Sequence, residues 1–71
     1  MKKLFAIDDR TSSRSAIFDQ EIKTVEEGYM IWNALSEYDQ NHCDAFFVLE
    51  GEVDEEGMLD WNTAETIVTI K

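Results

Sequence analysis

One stretch of this chain, and no other, carries a helical apolar stripe. Gly28, Ile31, Trp32, Leu35, Tyr38 and His42 recur at spacings of three and four, the interval at which helical side chains share a face. Glu26, Asn33, Glu37 and Gln40 fall on the opposite side. Thr24 precedes the stripe and Glu27 stands three residues later, a pairing in which each residue satisfies a backbone N–H of the first turn. Glu26 and Glu27 also suit the positive end of the helix dipole. The helix is expected to begin after Thr24 and to end near Asn41-His42. Gly28 inside it costs about 1 kcal/mol against alanine, which close packing on a sheet would explain.

Everything around the stripe reads as strand or turn. Lys3-Leu4-Phe5-Ala6-Ile7 is a short apolar run ending at Asp8-Asp9. Asp9 to Ser15 is polar and reads as a loop. From Ala16 to Lys23 the pattern has period two, with Phe18 and Ile22 on one face and Asp19, Glu21 and Lys23 on the other, the mark of a half-buried strand. These segments form a hairpin. After the helix, Asp44 to Leu49 is apolar on both sides, as a central strand would be. Glu50-Gly51-Glu52-Val53 continues it, with Gly51 a candidate bulge. Asp54-Glu55-Glu56-Gly57 is a turn in which Gly57 supplies positive φ. Glu65 to Ile70 is β-branched and strand-like. The reading is an α+β fold, a single β-β-α-β-β domain over residues 1–71, with a mostly antiparallel sheet and one amphipathic helix packed on one face.

A domain of 71 residues hides only about 60 % of the surface its unfolded chain exposes. The 44 % apolar share is too rich for a disordered chain. Cys43 is the only cysteine, so no disulfide forms within the chain. Leu4 to Ile7 is too short an apolar run for a signal peptide or a membrane span. The expected location is cytoplasmic.

Charge sets the surface. The net charge is −10. Residues 24–70 hold Glu26, Glu27, Glu37, Asp39, Asp44, Glu50, Glu52, Asp54, Glu55, Glu56, Asp60 and Glu65, and no lysine or arginine. Such a surface repels nucleic acid and anionic membranes and attracts basic proteins and cations. The candidate interaction surface is Glu37, Glu50, Glu52, Asp54, Glu55, Glu56, Asp60 and Glu65.

Four motifs bear on chemistry. With Gly57 at the sixth place of a calcium loop, Glu52, Asp54 and Glu56 fall at places one, three and five, but Thr63 occupies the twelfth, where a bidentate glutamate belongs. Cys43 beside His42 suggests a nucleophile, yet one cysteine and one histidine build neither a triad nor a zinc site. The simpler reading is a small buried cysteine and a histidine at a helix end. Thr11-Ser12-Ser13 between Arg10 and Arg14 offers donors for a phosphate but lacks a Gly-rich turn, so a polar hairpin loop is expected. Trp61, like Tyr29, is expected to close the core from its edge, the alternative being an exposed anchor.

No nucleophile stands beside a base, and no metal or cofactor motif is present. The first expectation is therefore a small non-catalytic protein-interaction domain. A homodimer through the edge of Phe46–Leu49 or Ile67–Ile70 is possible. In size and charge the chain resembles the small acidic inhibitors of phages and mobile elements, of anti-restriction and anti-CRISPR type. That resemblance implies a DNA mimic whose carboxylates occupy the basic groove of a nucleic-acid-binding protein, since duplex DNA carries one charge per about 1.7 Å. A weak calcium-binding module is the third reading.

Overall fold

The computed structural model describes residues 1–71. Along the chain run β1 (Lys2–Asp9), α1 (Thr11–Arg14), β2 (Ile17–Ile22), α2 (Val25–Ala34), α3 (Glu37–His42), β3 (Ala45–Glu52) and β4 (Glu65–Thr69). The strands form one antiparallel sheet in the order β2-β1-β3-β4. The protein is thus a small α+β domain. Because β1 is antiparallel to both neighbours, β2 and β3 run the same way. A chain joining two such strands must travel back the length of the sheet, and a helix does this economically. α2 and α3 make that return.

The continuous apolar run of β1 is explained by its place between β2 and β3, with both faces covered. Ala6 of β1 and Phe46 and Val48 of β3 face α2, where they join Ile22 and Cys43 in one buried cluster. Val25, Ile31, Trp32 and Leu35 pack onto it from the helix side. Trp32 lies against Phe46 with ring centroids 5.2 Å apart. Phe5, Ile7 and Leu49 face the other way and form a second cluster. No helix covers that face. The excursion between β3 and β4 does, through Leu59, Val53 and Ala64, folding back by a Val53–Leu59 bridge.

The expected single helix is two. Leu35 and Ser36 leave helical geometry, with ψ of 144° and 160°. Ser36 Oγ then accepts the Asp39 N–H at 3.1 Å and starts α3. The Trp32 carbonyl accepts the Leu35 N–H at 3.1 Å and also Gln40 Nε2 at 2.9 Å. The stripe therefore ends at Leu35. Tyr38 is exposed and stacks on His42, centroids 3.9 Å apart.

Gly28 lies where α2 comes closest to the sheet. A Cβ there would stand 2.5 Å from Val48 Cγ2. Gly51 also marks a close approach, to Leu59, and not a bulge. The register shift falls between Val48 and Leu49, where β3 meets β4. β3 is paired on both sides, so Phe46–Leu49 offers no edge for a second copy. β2 and β4 are the edges. No helix is long and apolar enough to cross a membrane.

Candidate functional site

Most aspartates serve the fold. Arg10, expected in an open loop, is buried. Its Nε donates to both Asp8 oxygens at 2.9 and 3.1 Å, and its Nη1 donates to Asp39 at 3.0 Å. The hydrogen bonds from Arg10 and Ser36 hold the Asp39 carboxyl below the usual range. Through this arginine the β1–β2 hairpin is locked to α3. The Thr11–Arg14 segment, expected to be an open loop, is instead the short helix α1, and the anion it holds is an internal carboxylate. Ser12 donates its hydroxyl and its N–H, the latter at 2.7 Å, to Asp44. These bonds lower the Asp44 pKa. Asp9 accepts the Thr11 N–H at 3.0 Å.

The same economy governs the excursion. Asp54 Oδ1 accepts the N–H groups of Glu56 and Met58, both at 2.9 Å, and Gly57 takes φ +82° as the turn demands. Asp60 Oδ1 accepts the Asn62 N–H at 3.0 Å. A short aspartate reaches the backbone two residues on, and a glutamate does not. Asp54 and Asp60, two of the eight residues expected on an interaction surface, are thus committed to their own turns. In the calcium register, Asp54 Oδ1 is engaged by its own turn. No three His, Cys, Asp or Glu side chains come together as metal ligands.

What remains is a group of glutamates. Glu37, Glu50, Glu55, Glu56 and Glu65 have no ion-pair partner in the chain, while Glu52 meets the N-terminal amine at 2.6 Å. Glu50 stands directly opposite Glu65 across β3 and β4. Asp60 N–H donates to the Glu52 carbonyl at 2.8 Å, which folds the excursion back beside the strand end. Glu50, Glu52 and Glu65 accordingly lie at the end of the sheet where β3 finishes and β4 begins, and Glu55 and Glu56 sit in the turn beyond it. Glu37 does not join them. It starts α3, which Arg10 holds at the opposite end, near Asp9. Across the acidic end a row runs Ile22, Leu4, Glu50, Glu65, one residue from each strand in sheet order. Like charges directly opposite in a sheet are destabilising.

The Cys43 thiol is sequestered. It is 2 % exposed and donates to the Ala45 carbonyl at 3.0 Å and Asp8 at 3.2 Å. Burial first, and the Asp8 carboxylate second, push its pKa up to about 11. It stays a protonated thiol at neutral pH, the unreactive form. His42 Nδ1 is engaged by the Tyr38 carbonyl at 2.8 Å. Trp61 does not close the core. It is 50 % exposed and lies outside both buried clusters, and Tyr29 is exposed as well.

One feature escaped the sequence reading. β2 is not half-buried; Ile22 alone of its residues is buried. α2 does not reach over Phe18 and Gln20, and an apolar groove of about 200 Å³ opens between them. Ala6 and Phe46 floor it, and Ile31 and Leu35 form the helix wall. The available signal was the width of the stripe. Met30, an apolar residue beside Ile31 and outside the stripe, is 68 % exposed.

No protein-family model, curated protein or solved structure matches the chain.

Proposed function

We propose that this domain is a non-catalytic interaction module whose acidic end receives a basic surface of a partner protein. The carrying observation is the Glu50–Glu65 pair. Two carboxylates are set directly opposite, in a segment with no lysine or arginine between residues 24 and 70, while Glu52 beside them meets the N-terminal amine and stands across from Lys2. Solubility asks only for charge somewhere on the surface, with both signs mixed. An opposed like-charge pair costs about 0.2–1 kcal/mol, and a small domain has little stability in hand. A basic partner turns that cost into attraction. In the finer form of this reading the partner is a nucleic-acid-binding protein and the glutamates stand in for phosphates.

The test is affinity capture with the parent chain and with the Glu50→Gln/Glu65→Gln variant, at about 50 and about 200 mM salt, a range over which charge-driven contacts weaken steeply. The parent should retain a partner at low salt that high salt releases and the variant loses. Release of that partner by duplex DNA in competition supports the phosphate-mimic form. The variant itself should melt higher, by about 1–8 °C for the relief of one opposed pair. Equal capture by parent and variant, or a variant that melts lower, overturns the proposal.

A further inference from the structure

We propose that the free edge of β2, with the groove beside it, binds an extended segment of a partner that alternates apolar and basic residues, adding it to the sheet as a fifth strand. This site is separate from the acidic end.

The backbone argument comes first. β2 is outermost and pairs only with β1, so one row of its N–H and C=O groups is unpaired. Natural edges are blunted by lysine, proline or a bulge. Ile17-Phe18-Asp19-Gln20-Glu21-Ile22 has neither lysine nor proline, and its register with β1 runs without a shift. β4, the other edge, has its register with β3 broken at Val48/Leu49. Five of the six β2 residues are exposed, so nothing in the chain covers the strand.

Side chains then select the occupant. Alternation puts Phe18 and Gln20 on the groove face, opposite Asp8 and Ala6 of β1. Phe18 is 49 % exposed and Met30 is 68 % exposed, so an incoming apolar side chain would bury both. Asp19 and Glu21 take the other face, where Glu21 already meets Lys3 Nζ at 3.2 Å and Asp19 has no basic partner, and Glu27 stands beside Met30 along the groove. No lysine or arginine lines the groove. An added strand also alternates. Its groove-facing residues are thus apolar, and the one meeting Asp19, the strand's unpaired carboxylate, is basic. Main-chain pairing supplies affinity and the groove supplies specificity.

The same charges argue against a second copy of this chain. Antiparallel self-pairing centred on Asp19 or Gln20 places Asp19 opposite the copy's Asp19 or Glu21; centring on Glu21 brings Asp19 to the copy's Lys23 but sets Glu21 against Glu21, and each chain carries −10. Like charges so placed repel.

The probe is a short capped peptide in which lysine alternates with valine around a central phenylalanine. Binding is read by fluorescence anisotropy, and the site by amide chemical shifts. Shifts and new exchange protection should centre on Ile17–Ile22 and on Met30–Leu35. N-methylation of the amides facing β2 should weaken binding about ten-fold, the loss expected for two or so hydrogen bonds. Exchanging lysine for glutamate should weaken it at least as much. Phe18→Ala, at an exposed position that leaves the fold intact by circular dichroism, should also weaken it. Glu50→Gln/Glu65→Gln should leave it unchanged, which separates this site from the acidic end. Equal binding of the N-methylated peptide, shifts confined to Glu50–Glu65, or a dimer in sedimentation whose β2 amides are protected without peptide would each overturn the proposal.

Discussion

Alanine at position 28 sets two effects against each other. Inside an exposed helix the change from glycine stabilises by about 1 kcal/mol, because glycine has more backbone freedom to lose. Here the new methyl would lie 2.5 Å from Val48 Cγ2 and 3.5 Å from Ile22 Cδ1. Carbon atoms pack at about 3.5–4.0 Å, so something must move by about 1 Å. Val48 cannot yield easily. It is fully buried, its β-branched side chain is stiff at χ1, and its strand is paired on both sides. α2 must lift from the sheet instead. Overpacking of this kind costs about 1–3 kcal/mol. The net expectation for Gly28→Ala is a loss of about 1 kcal/mol, or about 4–8 °C in Tm for a domain of this size. Urea and thermal unfolding followed by circular dichroism would measure it. Val48→Ala alone should cost about 2 kcal/mol through lost burial and a small cavity. In the double variant the clash is gone, so the combined loss should fall clearly short of the sum of the two single losses. A Gly28→Ala protein more stable than its parent, or a strictly additive pair, would refute this reasoning.

Two further outcomes follow from Cys43 and Asp44. Cys43 should react with a disulfide reagent at pH 8 only after unfolding in urea; immediate labelling of the native chain would contradict its burial. Its thiol is raised from an ordinary 9.0 to about 11, so the stability tied to the neutral form is complete below about pH 9 and is lost as pH rises through about 11. Asp44 shifts the other way, held low by the Ser12 hydroxyl and N–H. Its contribution is present above the ordinary carboxylate range and is lost as pH falls through the lowered value. Asp44→Asn should therefore flatten the acid limb of Tm against pH below about pH 4, and a limb parallel to that of the parent would rule the contact out as a source of stability.

The strands were legible because burial on two faces writes a continuous apolar run, as in Leu4–Ile7 and Phe46–Leu49, and because Glu65–Ile70 is β-branched. The start of α2 was legible from Thr24 and Glu27, and the tolerance of Gly28 from its place on the stripe. The break at Leu35-Ser36 was not read, although Ser36 and Asp39 repeat the capping logic of Thr24 and Glu27. Tyr38 and His42 happened to continue the apolar spacing, and that periodicity masked a second N-cap. Arg10 was hidden for a different reason. Its partners Asp8 and Asp39 lie 2 and 29 residues away, and only the crossover that brings α3 to the hairpin joins them. Trp61 was misplaced because aromatic bulk suggests a core, whereas the excursion buries Leu59 and Ala64 beneath it and leaves the ring half exposed.

Side-chain length divides the acidic charge. The carboxylates of Asp9, Asp54 and Asp60 accept backbone N–H groups two residues on, and Asp44 accepts those of Ser12 across the molecule. Asp8 and Asp39 neutralise the one buried arginine. Much of what reads in the sequence as a uniformly acidic surface is therefore turn and anchor chemistry, carrying no message for a partner. Glutamate, one methylene longer, rarely closes such local bonds, and Glu50, Glu55, Glu56 and Glu65 are bound to nothing in the chain. The interaction hypothesis consequently rests on fewer residues than the charge count suggests, and it is the sharper for it. Neutralising Asp54 or Asp60 disturbs a turn, whereas neutralising Glu50 and Glu65 relieves a repulsion, so the two kinds of substitution move stability in opposite directions before any partner is added.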